Sequence, residues 1–153
     1  MQRINLWPNP DFVPTGMHVN GSGKDISRYM TDGRFSNTSS DYIDLPFKNC
    51  EVGTGYVCCF NITSTTAANR IAVFSGNKSW RPASQNVGAQ TIRFTGVASD
   101  TRLAVPSSMT IDSLIVETDA TYDSGVGGGG FRASSPGTRC HAIKAIRRAG
   151  DVR

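Results

Sequence analysis

Apolar and polar residues alternate along much of this chain with a period of two. Between Gln90 and Glu117 the pattern is clearest: Ile92 and Phe94 alternate with Thr91, Arg93 and Thr95, as in a strand with one buried face. The stretch predicts strands over residues 90–95, 102–105 and 109–117. Ala98-Ser99-Asp100 and Pro106-Ser107-Ser108 supply the turns between them. Three short strands joined this tightly predict a β-meander rather than a βαβ unit. In the third strand Ile111 and Leu114 are three apart, whereas Leu114 and Val116 are two apart. A bulge at Asp112-Ser113 turns both Ile111 and Leu114 inward. It places Asp112 at a sheet edge, where the carboxylate caps the bulge or ligates a cation.

Further strands are expected over residues 4–7, 41–45, 56–63 and 69–75, with short ones near 17–19 and 26–30. In residues 56–63 the set Tyr56, Cys58, Phe60 and Ile62 is the face expected to be buried. Gly76-Asn77 reads as a hairpin turn, and residues 78–88 as a polar loop carrying Trp80. Seven or eight strand-length runs suit an all-β fold, an antiparallel β-sandwich over residues 1–125. Beyond it, Tyr122 to Gly130 becomes glycine-rich and predicts a flexible hinge. Residues 126–153 then form an extended, Gly-hinged basic C-terminal arm. Ala142, Ile143, Ile146 and Ala149 have helical spacing there, and an extended strand is the alternative.

Composition sharpens this picture in two places. Only 18% of residues are charged, while Ser, Thr, Asn and Gly abound, a profile of extracellular or virion β proteins. From Phe131 to Arg153 there are six cations (Arg132, Arg139, Lys144, Arg147, Arg148, Arg153) against Asp151 alone, a net of +5, while the remaining 10 basic and 11 acidic residues give −1. Without interleaved aromatics or Gly-Arg repeats, such an arm predicts contact with a protein surface and no nucleic-acid binding. Phe131, Arg139, Ile143, Lys144, Ile146, Arg147 and Arg148 are the assembly residues expected from it. No apolar run is long enough to span a membrane, so no membrane insertion is expected. The opening MQRINLWPNP lacks the apolar core of a secretory signal.

Candidate chemistry is sparse. The cysteines are Cys50, Cys58, Cys59 and Cys140, with no C-x-x-C to suggest zinc. Cys58 and Cys59 are neighbours on a strand and point to opposite faces. Buried free thiols are expected, with a Cys50–Cys58 or Cys50–Cys59 bridge as the alternative. His18 and His141 are the only histidines, and adjacent Cys140-His141 makes a poor nucleophile–base pair. Gly125–Gly130 lacks the Lys-Ser/Thr of a phosphate loop, and Asp41 with Asp44 reads as a solvated strand end. Asn20, Asn37, Asn61 and Asn77 each begin an N-x-S/T triplet, at a frequency that chance explains. A non-enzymatic protein without a cofactor is expected.

Two segments carry a family resemblance: NLWPNPDF at residues 5–12 and TIDSLIVE at residues 110–117. Together they resemble the first and last strands of carbohydrate-binding-module-like (galactose-binding-like) jelly rolls. With Tyr122-Asp123-Ser124-Gly125 following, the chain is similar to minor tail proteins of bacteriophages. The resemblance implies a jelly roll serving as a virion structural component, a minor tail or fibre-like part, within a symmetric homo-oligomer for which a trimer is expected. Its glycan-binding members imply an alternative, an adhesin that recognises the host envelope. There Trp80 is the candidate sugar platform, with Arg81 beside it. Trp7 reads instead as a core or interface anchor. Family members also imply a structural calcium, for which Asp11 and Asp112 fall in the corresponding regions.

Overall fold

The computed structural model describes residues 4–15, 19 and 22–128 of the chain. Two antiparallel sheets pack as a sandwich. One has the order β1 (Met30–Thr31), β2 (Arg34–Asn37), β9 (Met109–Thr118), β4 (Gly55–Thr65), β7 (Gly88–Thr95). The other has the order β3 (Ile43–Pro46), β8 (Thr101–Val105), β5 (Ala72–Ser75), β6 (Lys78–Trp80). A single α-helix among the described residues, α1 (Asp119–Gly128), follows β9 directly.

The core is made by the alternation that the sequence displays. β4 sends Tyr56, Cys58, Phe60 and Ile62 inward, β7 sends Ile92 and Phe94, and β9 sends Met109, Ile111, Leu114 and Val116. Leu45, Val73, Leu103 and Val105 meet them from the other sheet. The bulge in β9 is where expected. Cys59 pairs with Ile115 and Asn61 with Asp112, so three steps on β9 oppose two on β4. Ser113 adopts the left-handed conformation (φ 61°) and donates from its hydroxyl to Asp112 Oδ1 at 2.9 Å. That extra residue lets both Ile111 and Leu114 enter the core. Asp112 is not at a sheet edge, however, because β9 is flanked by β2 and β4.

Several expected elements differ. The meander is absent: β7 and β9 belong to one sheet and β8, between them, to the other. Ser75 pins the crossover from β7 to β8. Its hydroxyl accepts the Val97 and Ala98 amides (2.9 and 3.1 Å) and bonds the Thr101 hydroxyl at 2.9 Å. Gly96 fits because its amide donates to the Thr54 carbonyl at 3.0 Å in a space where a Cβ would strike the Glu51 carbonyl. The strand expected over 26–30 is a 3-10 turn, Ser27–Tyr29, with only Met30–Thr31 extended as β1. Of the strand expected near 17–19, only Val19 is described, in an isolated bridge to Asp25. Residues 4–7 form no regular strand, for a reason given below.

The hinge expected from Tyr122 to Gly130 is helical through Gly128. Thr118 caps the helix by accepting the Thr121 amide on its hydroxyl at 3.1 Å, and Asp119 lies in the first turn, where the helix dipole favours a carboxylate. Arg93 on β7 then grips Asp119 and Asp123 (3.0 and 3.2 Å) and lies 5.4 Å over the Tyr122 ring. Tertiary contacts thus outweigh the poor helix propensity of the glycines. The arm residues Phe131, Arg139, Ile143, Lys144, Ile146, Arg147 and Arg148 lie outside the described residues, as do His18 and His141.

Candidate functional site

The N-terminal segment meets the closing strand at the bulge. Asn5 donates from Nδ2 to the Leu114 carbonyl (3.1 Å) and accepts the Val116 amide on Oδ1 (2.8 Å). The same Oδ1 accepts the Trp7 amide at 3.1 Å, and the Leu6 amide donates to the Val116 carbonyl at 2.8 Å. An asparagine side chain thus substitutes for part of a strand ladder, since Pro8 and Pro10 lack the amides to continue one. Asn9 closes the following turn by bonding both the amide and the carbonyl of Val13. Trp7 and Phe12 are driven into the core, with ring centroids 5.7 Å apart. Trp7 is therefore a core anchor, and its indole N–H has no acceptor among the described residues.

A polar cleft of about 360 Å³ opens at the outer side of the four-stranded sheet, lined by Ser22, Asp44, Pro46, Phe47, Ser99, Asp100, Thr101 and Arg102. Antiparallel pairing of β3 with β8 sets Asp44 beside Arg102. The guanidinium lies 3.3 Å from Asp44 and 2.7 Å from Asp100, and 5.2 Å above the Phe74 ring. The lining combines two carboxylates, a guanidinium and hydroxyls with the apolar Pro46 and Phe47, a mixture that suits a ligand with several hydroxyl groups. The cleft lining contains neither histidine nor cysteine. A smaller pocket of about 200 Å³ near the N-terminal segment is lined by Ile4, Leu6, Asn49, Glu51, Thr54, Tyr56, Thr118 and Thr121.

The residues singled out from the sequence are not gathered in that cleft. Trp80 is not in a loop: it ends β6, pairs with Val73 and packs 5.9 Å from Phe94 at 50°. Half-buried in this way, it presents only part of its ring; Arg81 beside it is exposed. The Gly76-Asn77 turn before it has positive φ at Gly76 alone, fitting a II′ hairpin with glycine first. Asp11 is exposed and Asp112 lies on the central strand β9; among the described residues no group of three or more His, Cys, Asp or Glu is placed to hold a metal ion. Asn37 is buried, donating to the Asp41 and Val105 carbonyls (2.9 and 2.8 Å), which closes its glycosylation triplet to modification in the folded state. Arg102 went unnoticed in the sequence because Asp44 and Phe74 come from other strands. Its local signals are Asp100 two residues before it and a charge at an outward position of a short apolar strand.

Cys50 and Cys58 are free and buried, and neither bridges the other. Cys59 is disulfide-bonded, so the expected free thiol is corrected there, and its bond is not to Cys50. Burial pushes the Cys50 thiol up to about 11. Burial, and then the neighbouring Cys50, pushes Cys58 up further still. Both therefore stay protonated and unreactive in the native state. The contribution of Cys50 to stability is full below the unfolded value of 9.0 and is lost as pH rises from there through about 11. We expect a thiol reagent at about pH 8 to modify neither cysteine in the native protein and both after denaturation. Rapid native labelling would show the core to be open.

No protein-family model and no curated protein matches this chain. What the geometry defines is a class: an antiparallel β-sandwich with a polar cleft on one outer face.

Proposed function

We propose that the chain is a non-enzymatic structural protein of a bacteriophage virion. It acts as a minor tail or fibre-like component, built on a jelly roll and assembled as a homo-oligomer, a trimer, with the basic segment beyond α1 engaging neighbouring virion proteins. One observation carries this reading. The two segments on which the resemblance rests, residues 5–12 and 110–117, meet in space, with Asn5 bonded to both Leu114 and Val116. Its test is a chain ending at Gly128. The truncated sandwich should keep its β circular dichroism but sediment as a monomer and fail to enter particles; normal oligomers and normal incorporation would reject the assembly role.

The Asp44–Arg102–Asp100 cleft favours a second reading, a glycan-binding adhesin of the host envelope. Its recognition would run through hydroxyl hydrogen bonds to the cleft rather than through stacking on the half-buried Trp80. Glycan-array binding that is lost with Arg102→Ala supports the cleft; loss with Trp80→Ala alone supports the indole platform, and no binding by the native chain removes this reading.

A further inference from the structure

Helix α1 owes its form to the sheet beneath it more than to its own sequence. Isolated helices shorter than about 12–15 residues are marginal in water. α1 has ten residues, and Gly125, Gly127 and Gly128 at its end are poor helix formers. Its hold on the sheet comes from the other end. Asp119, Tyr122 and Asp123 are spaced i, i+3 and i+4, so they share one face of the helix. Tyr122 is buried in a second apolar cluster with Val57, Cys59 and Ile115, which point away from the main core.

A single side chain serves all three of those helix residues. Arg93 stands opposite Val57 in the β4–β7 ladder, pairs with Asp119 at 3.0 Å and Asp123 at 3.2 Å, and lies 5.4 Å over the Tyr122 ring. The charged side chains are 44–57% exposed, so dissolved ions reach both pairs. Gly55 on β4 leaves room for the clamp, since a Cβ there would meet the Asp119 carboxylate.

We propose that α1 is a salt-sensitive latch, which lifts from the outer face as one unit while the sandwich stays folded. The Debye length shrinks from about 30 Å at 0.01 M salt to about 3 Å at 1 M, which weakens an exposed ion pair. β4 and β9 below the helix are each paired on both sides, so they keep their places when it leaves. Opening a unit with few buried contacts takes far less free energy than unfolding the domain. With α1 down, the outer apolar face around Val57 and Ile115 is closed; lifting the helix opens it. This goes beyond the virion reading and does not depend on it.

The test is native-state hydrogen–deuterium exchange on the full chain, followed amide by amide. Amides of Asp123–Gly128 report the helix, and those of Tyr56–Ile62 in β4 report the sandwich. Raising sodium chloride from about 0.01 M to about 1 M should speed exchange in α1 by several-fold and leave β4 unchanged. Arg93→Ala should speed it about tenfold already at low salt, because two ion pairs and a cation–π contact go together, and should remove most of the salt response. Gly55→Ala keeps every charge but displaces one of the two carboxylates, so it should give a smaller acceleration in the same amides. Equal rates in α1 and β4 under every condition would mean that the helix leaves only when the whole domain unfolds. That result, an α1 indifferent to salt, or a full salt response surviving in Arg93→Ala would each overturn the latch.

Discussion

Replacing Phe60 with alanine should lower the unfolding free energy by about 3–5 kcal/mol, the cost of deleting a fully buried aromatic ring and leaving a cavity. Phe60 has no exposed surface and sits in the middle of β4, the strand that pairs with both β7 and β9. No neighbour at that position can move inward without breaking a ladder on one side. Domains have about 5–15 kcal/mol of stability in total, so the loss is a large share of it. At roughly 2–4 °C per kcal/mol for a chain of this size, thermal unfolding should shift down by about 6–20 °C. Phe60→Leu fills much of the same space and should cost far less. Equal midpoints for the native and alanine proteins would mean that the inner face of β4 is not the centre of the core.

Ser75→Ala should cost about 1–3 kcal/mol, although it removes a single oxygen atom. That oxygen is wholly buried and accepts the amides of Val97 and Ala98 while bonding the Thr101 hydroxyl. Alanine leaves those amides without their acceptor at the point where the chain passes from one sheet to the other. Amide exchange should accelerate at Val97 and Ala98 before it does in β4. Faster exchange spread evenly over the molecule would show that Ser75 does not hold the crossover specifically.

The reach and the limit of sequence reading are both visible in β7, β8 and β9. Side-chain alternation fixes which residues share a face, so the inward sets of β4 and β9 were legible, and so was the bulge, because an extra residue breaks the period. Periodicity does not say which sheet a strand joins. That depends on contacts such as those of Ser75, distant in sequence, and the expected meander failed on this point. α1 was illegible because its glycines oppose a helix, while the Arg93 clamp that favours it lies on β7. The polar cleft was missed for a similar reason: Asp44 and Arg102 become neighbours only once β3 and β8 pair. Trp80 was misplaced because three residues of β6 are too few to show a period.

The contacts of Asn5 have a temporal consequence. Its partners stand 109 and 111 positions downstream. At about 5–20 residues per second, a ribosome takes roughly 5–20 s to produce that intervening length. Throughout this interval the nascent chain carries Trp7 and Phe12 with no finished surface to receive them, so residues made long before β9 reach their native positions only after it.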